Sequence, residues 1–151
     1  MKTTVCATTG LAAALAFAPM ASADPTEGHY TNVVTQSPDM LCTIGSDDAH
    51  PGIGPNVVCQ IGGDGFPGSA LVPGIATHPN QAAVTADGWF KYRGANISTT
   101  GDDFNPLDLT DGNTYHFQGW TITPTTNGVT FTNDATGHGM TIGADLGVQP
   151  F

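Results

Sequence analysis

The chain has very few basic residues. Its 151 residues include three Lys and Arg against thirteen Asp and Glu, which gives a formal net charge of −10 at pH 7. Recognition of DNA, RNA and anionic membranes depends on clustered Lys and Arg. The composition therefore excludes nucleic acid as a partner and favours solubility and basic partners or cations.

The sequence also lacks a hydrophobic run long enough to cross a bilayer, which takes roughly 20 residues. A short apolar stretch at residues 11–18 follows Lys2, and small residues at 21–23 precede Asp24. This layout is typical of a secretory signal peptide. We therefore predict that residues 1–23 are a leader and that residues 24–151 form a single secreted β domain with no transmembrane segment.

Cysteine is scarce, with three in the whole chain. Cys6 lies in the predicted leader, which leaves Cys42 and Cys59 for the mature protein. An even pair of cysteines in an exported protein favours one disulfide bond. A two-cysteine metal site is less favoured, because the sequence has no CxxC spacing.

The usual helix formers Lys, Glu and Arg are nearly absent, whereas Gly and Pro number 20 and 11. Thr, Val, Ile and aromatic residues occur in short runs between turn residues. Runs of this kind at regular intervals are typical of all-β domains. We predict a small antiparallel β-sandwich or barrel of seven to eight short strands.

One predicted hairpin lies near the C-terminus. Residues 114–123 alternate as a single strand, Asn127-Gly128 offers a type I′ turn, and residues 129–132 return as the partner strand. The alternation predicts that Phe117 and Phe131 are buried. Trp120 then falls on the face opposite Phe117.

A second hairpin joins residues 81–86 to residues 89–93 through Asp87-Gly88. Side chains alternate between the two faces of a strand. Trp89, Lys91 and Arg93 therefore share one face of the second arm.

The sequence also carries a family resemblance. Residues 111–116 (DGNTYH), 119–122 (GWTI) and 130–140 (TFTNDATGHGM) resemble the closing segment of small exported proteins of mycobacteria and related actinobacteria. The run from Cys42 through PGIGP to Cys59 is similar to the same group more loosely. The resemblance implies a compartment and a lineage, and it brings no activity and no catalytic residues.

Motifs of nucleophilic enzymes are missing, since the chain contains no GxSxG, SxxK or HExxH. Asp134 and His138 lie four residues apart in a glycine-flanked loop. With His116 they are the candidates for an acid–base site. The same loop is also typical of a turn, in which Asn and Asp bond their own backbone.

Two further sets of residues are candidate binding groups. Asp102, Asp103 and Asp108 lie in the most oxygen-rich stretch for Ca²⁺, although their spacing is not that of an EF-hand. Trp89 and Trp120 are candidates for a ligand platform, and otherwise belong to the core.

These observations lead to one reading of the function and two alternatives. We expect a secreted, monomeric, non-enzymatic binding or cell-envelope-associated protein without a cofactor, acting on an unknown extracellular or cell-wall partner. The first alternative is a small secreted hydrolase using His116, Asp134 and His138, which would have to converge in a pocket. The second is a calcium-stabilised structural protein.

Overall fold

The structure is a computed structural model that describes residues 30–46, 55–73, 77–99 and 104–151. The predicted leader and the calcium candidates Asp102 and Asp103 lie outside these residues.

The described residues form eleven β-strands and no helix, which confirms the all-β prediction. No helix capable of spanning a bilayer is therefore found among them. The strands are β1 Tyr30–Gln36, β2 Asp39–Gly45, β3 Asn56–Gln60, β4 Gln81–Thr85, β5 Phe90–Arg93, β6 Leu107–Asp108, β7 Tyr115–Phe117, β8 Trp120–Thr125, β9 Gly128–Asn133, β10 Gly139–Gly143 and β11 Val148–Pro150.

The strands form two sheets that share one core, as in a β-sandwich. The six-stranded sheet has the order β5-β4-β3-β2-β1-β6 and the five-stranded sheet the order β11-β10-β9-β8-β7. All neighbours are antiparallel except β1 and β6, which are parallel. Val33 and Ile44 from one sheet and Trp120 and Phe131 from the other lie in the same fully buried cluster. The core thus separates two outer faces.

A disulfide bond joins β2 to β3, as the sequence predicted. Cys42 and Cys59 are direct partners in the antiparallel register, with their Cα atoms 4.0 Å apart. Both residues are fully buried in the core cluster. The bond therefore fixes the register of the central strands of the six-stranded sheet.

The predicted strand over residues 114–123 is wrong, because the chain reverses in its middle. Gln118 and Gly119 have φ values of 52° and 78°, which is the left-handed pair of a type I′ turn. Phe117 consequently lies opposite Trp120 across the hairpin, and both side chains face the core. The prediction that Trp120 lies on the face opposite Phe117 is therefore also wrong.

The next hairpin pairs β8 with β9 antiparallel, as predicted. Phe131 on β9 and Phe117 on the neighbouring strand β7 are both buried, also as predicted. The turn of the β8–β9 hairpin falls at Thr126-Asn127, one residue earlier than Asn127-Gly128, because Thr125 pairs with Gly128. Gly128 has a φ of 143° and is the first residue of the return strand.

The hairpin of β4 and β5 matches its prediction. Gln81 pairs with Arg93 and Ala83 with Lys91. Trp89, Lys91 and Arg93 are exposed, whereas Phe90 and Tyr92 pack against the core cluster. This hairpin is an edge of the six-stranded sheet and presents its outward side chains to solvent.

Candidate ligand groove on the outer face of the six-stranded sheet

Two of the three predicted catalytic residues, His116 and Asp134, are brought together by hydrogen bonds to Thr121, which lies between them. The hydroxyl of Thr121 on β8 lies 3.0 Å from Nδ1 of His116 and 2.5 Å from Oδ1 of Asp134. These two hydrogen bonds link β7, β8 and the start of the β9–β10 turn.

The direction of these hydrogen bonds argues against an activated hydroxyl. A carboxylate only accepts, so the single hydroxyl hydrogen of Thr121 points to Asp134. Nδ1 of His116 must then carry a hydrogen and donate it to Thr121. His116 is therefore a donor to this oxygen, and it does not serve as the base that a nucleophilic threonine would need.

His138 makes its contacts elsewhere. Its Nδ1 lies 3.2 Å from the carbonyl oxygen of Phe151. Its ring lies so close to Gly88 that a Cβ at that glycine would be 3.0 Å from it. His138 makes no hydrogen bond to His116 or Asp134, so the three candidates do not form one catalytic set.

The calcium candidates receive no support from the part of the chain that is described. Asp108 lies exposed on the two-residue strand β6. Within the described ranges, no group of three His, Cys, Asp or Glu side chains is placed to hold a metal ion.

The two tryptophans have opposite environments. Trp120 is 0 % exposed, and its buried indole N–H has no hydrogen-bond partner. A ligand cannot reach this ring, so its assignment as a platform is wrong: the Gln118-Gly119 turn directs it into the core. Trp89 is 55 % exposed and stands on the outer face.

Three rows of side chains cross the outer face beside Trp89. The registers of β3, β4 and β5 place Val58, Ala83 and Lys91 in one row and Gln60, Gln81 and Arg93 in the next. The third row starts on β1. It contains Tyr30, Gly45, Asn56 and Thr85, and Thr85 bonds the backbone carbonyl of Trp89.

A small residue inside these rows leaves a depression between larger ones. Ala83 lies between Val58 and Lys91. Two adjoining cavities of about 240 and 310 Å³ occupy this depression and share Asn56, Val58 and Arg93 as walls. We refer to both cavities together as the outer groove.

The outer groove carries the two positive charges of the predicted mature chain. The Lys91 ammonium lies 4.5 Å from the centre of the Trp89 ring, which is a cation–π contact. Nε of Arg93 donates to Oε1 of Gln81 over 2.7 Å. Among the described residues, neither cation forms an ion pair with a carboxylate.

A network of amides holds the floor and rim of the groove. Gln81 donates through Nε2 to Oε1 of Gln60, and the same oxygen accepts the backbone N–H of Ile97. Asn80 donates to the carbonyl oxygen of Ala95. The segment after β5 is thereby held along the groove as its rim.

Sequence reasoning singled out Trp89 in this site and missed its other walls. The available signal was the outward position of Asn56, Gln60 and Gln81, three amides on strands whose inward residues are apolar. Their juxtaposition depends on the strand register, which the sequence did not provide.

Comparison with protein families, with curated proteins and with solved structures found no match to this chain.

Proposed function

We propose that this chain is an exported, non-enzymatic binding protein that holds its ligand in the outer groove. The observation that carries the proposal is the combination of an exposed aromatic ring, two cations and an amide floor around one depression. Ligand sites in proteins commonly combine apolar walls with a few directed polar groups.

The chemistry of the groove favours binding over catalysis. Its described lining residues are aliphatic, aromatic, hydroxyl, amide and cationic, with no carboxylate, imidazole or thiol among them. Hydrolytic enzymes mostly use such groups as acid, base or nucleophile. The hydrogen bonds that link His116, Thr121 and Asp134 lie on the other sheet, and their direction does not activate the Thr121 hydroxyl.

Export is supported by the buried disulfide, since such bonds persist in oxidising compartments. The leader at residues 1–23 and the link to the cell envelope belong to the same proposal. Expression of the full chain in a secreting bacterial host, followed by mass analysis of the medium, tests it. We expect a mature N-terminus at Asp24, and secreted protein that retains residues 11–18 would contradict it.

Binding is tested with labelled protein on printed panels of neutral and acidic oligosaccharides and of neutral and acidic peptides. We expect a bound class that is lost in Trp89→Ala and retained in Leu71→Ala. Leu71 is a matched control because it is equally exposed but does not line the groove. Absence of binding to every panel, or binding that survives in Trp89→Ala, would overturn the proposal.

A further inference from the structure

We infer that the occupant of the outer groove is a carboxylated oligosaccharide, a short chain of uronic-acid sugars. This inference rests on the proposed function and names its ligand class. Its four supports are the placement of the cations, the orientation of Arg93, the position of the groove on a sheet face and the dimensions of the groove.

The placement of Lys91 and Arg93 gives the charge of the ligand. The chain has thirteen acidic residues and three basic ones, and two of the three stand two residues apart on one strand. Charged side chains on an edge strand such as β5 also block pairing with other chains. That role works with either sign, so it does not explain why a chain so rich in Asp uses its rare cations here. Binding of an anionic ligand explains why both cations lie here.

The orientation of Arg93 favours a carboxylate. Its Nε is already bound by Gln81, which leaves the two terminal nitrogens of the guanidinium as the donors that remain for a ligand. A guanidinium presents parallel N–H groups that match the two oxygens of a carboxylate. Because Gln81 is buried and bonded to Gln60, the Arg93 guanidinium is held in place before the ligand arrives. The Arg93 side chain therefore loses less conformational entropy on binding.

The position of the groove favours a sugar chain over an acidic peptide. Extended peptides that join a sheet do so at a free edge, where backbone groups are unpaired. The groove instead lies on the face of β1 to β5, where side chains stand out from the sheet, and not along the backbone edge of β5. Its polar groups are side-chain amides and hydroxyls, which suit a ligand rich in hydroxyl groups.

The dimensions and ends of the groove also fit a chain of sugar rings. Tyr30 and Trp89 stand at opposite ends, four strand spacings apart, which corresponds to roughly 19 Å. The negative face of an aromatic ring attracts the C–H hydrogens of a sugar ring. Between these ends, Asn56 and Thr85 line the path.

The test compares three probes on the wild-type protein by titration calorimetry. They are trigalacturonic acid, the same trimer with its carboxyl groups methyl-esterified, and tetraglutamate. We expect the free acid to bind at least about tenfold more tightly than the ester, which is the loss expected for a charge-assisted hydrogen bond. We expect tetraglutamate to bind more weakly than the free acid by a similar factor.

Variants locate the charge effect. Arg93→Gln should weaken binding of the free acid about tenfold and leave the ester unchanged, and Arg93→Lys should give an intermediate loss. Thr126→Asp is the control, since it makes the same change in net charge at an exposed turn of the other sheet. It should change the affinity less than about twofold.

The outcomes separate this inference from the proposed function. Equal binding of acid and ester, with loss of both in Trp89→Ala, would overturn the claim that the ligand is recognised by its carboxylate, and the groove would remain a binding site. Equal or tighter binding of tetraglutamate would overturn the claim that the ligand is a sugar chain. No binding of the trigalacturonate would overturn the inference, and the proposed function would then be decided by the panels. The acid and ester comparison needs no variant, so it holds even if Arg93→Gln fails to fold.

Discussion

Arg93 on β5 is held by Gln81 on β4, with Nε donating to Oε1 over 2.7 Å. Gln81 is 1 % exposed and also donates to Gln60 on β3. A buried amide thus directs an exposed guanidinium, which links the internal order of the sheet to the chemistry of its surface. Gln81 acts as a positioning residue for the outer groove.

Gln81→Met should therefore weaken trigalacturonate binding while Arg93 itself is unchanged. We expect a loss of about three- to tenfold, the value of one net hydrogen bond, and a smaller extra effect when Arg93→Gln is added. Calorimetry on the single and double variants measures this coupling. The control is Gln149→Met, at an exposed position of β11 on the other sheet. Additive losses would contradict the positioning role.

Removing the disulfide should destabilise the fold without changing the groove. We expect Cys42→Ala/Cys59→Ala to lower the free energy of unfolding by about 2–5 kcal/mol. The double substitution avoids a buried free thiol. Urea unfolding of the variant and the wild type measures the loss, and equal midpoints would contradict it.

Gly128 is required for steric reasons as well as for its φ. A Cβ there would lie 2.3 Å from the carbonyl oxygen of Ile142, whereas a Cβ at Gly112, with a φ of 84°, would meet nothing within 4 Å. Gly112→Ala should cost about 1 kcal/mol from its left-handed backbone. Gly128→Ala should cost clearly more, because β9 or β10 must also shift. Equal losses in thermal unfolding would show that the contact is unimportant.

The turn that carries Trp89 is expected to weaken in acid. The Thr85 hydroxyl, and then the Trp89 backbone N–H, donate to Asp87 and hold the pKa of its carboxyl below the ordinary value of 3.8. A lowered folded-state pKa stabilises the protein above the unfolded-state pKa, and this contribution is lost as the pH falls through the folded-state pKa.

Asp87→Asn should therefore be less stable than the wild type at neutral pH, and the difference should close as the pH falls below 3.8. Melting curves at several pH values measure it. Thr85→Val should reduce the same pH dependence because it removes the main donor to Asp87. A gap that is constant with pH would refute this assignment.

The sequence predicted the fold class, the disulfide and the β4–β5 hairpin because each depends on local chemistry. Asp87-Gly88 is a strong turn signal, and alternation then sets the outward faces of Trp89 and Arg93. Gln118-Gly119 was missed because Gln is not a usual left-handed residue. That one turn reversed the expected face of Trp120.

The candidate site was predictable only in part. Trp89 was recognisable as an exposed aromatic on a strand with two cations. The groove itself arises where Ala83 falls between the larger Val58 and Lys91 from neighbouring strands. Such cross-strand neighbours depend on register, and no local pattern in the chain specifies which residues of β2, β3 and β4 meet.

The central claim is that ligand binds in the outer groove, and chemical-shift mapping tests it most directly. The chain has two tryptophans, so the spectrum of ¹⁵N-labelled protein contains two indole N–H signals, from exposed Trp89 and buried Trp120. On titration with trigalacturonic acid, we predict shifts of the Trp89 indole and of the backbone amides of Asn56, Ala83 and Arg93, with Trp120 unchanged. Shifts centred on His116, Thr121 and Asp134 instead would place the site on the other sheet and contradict the account.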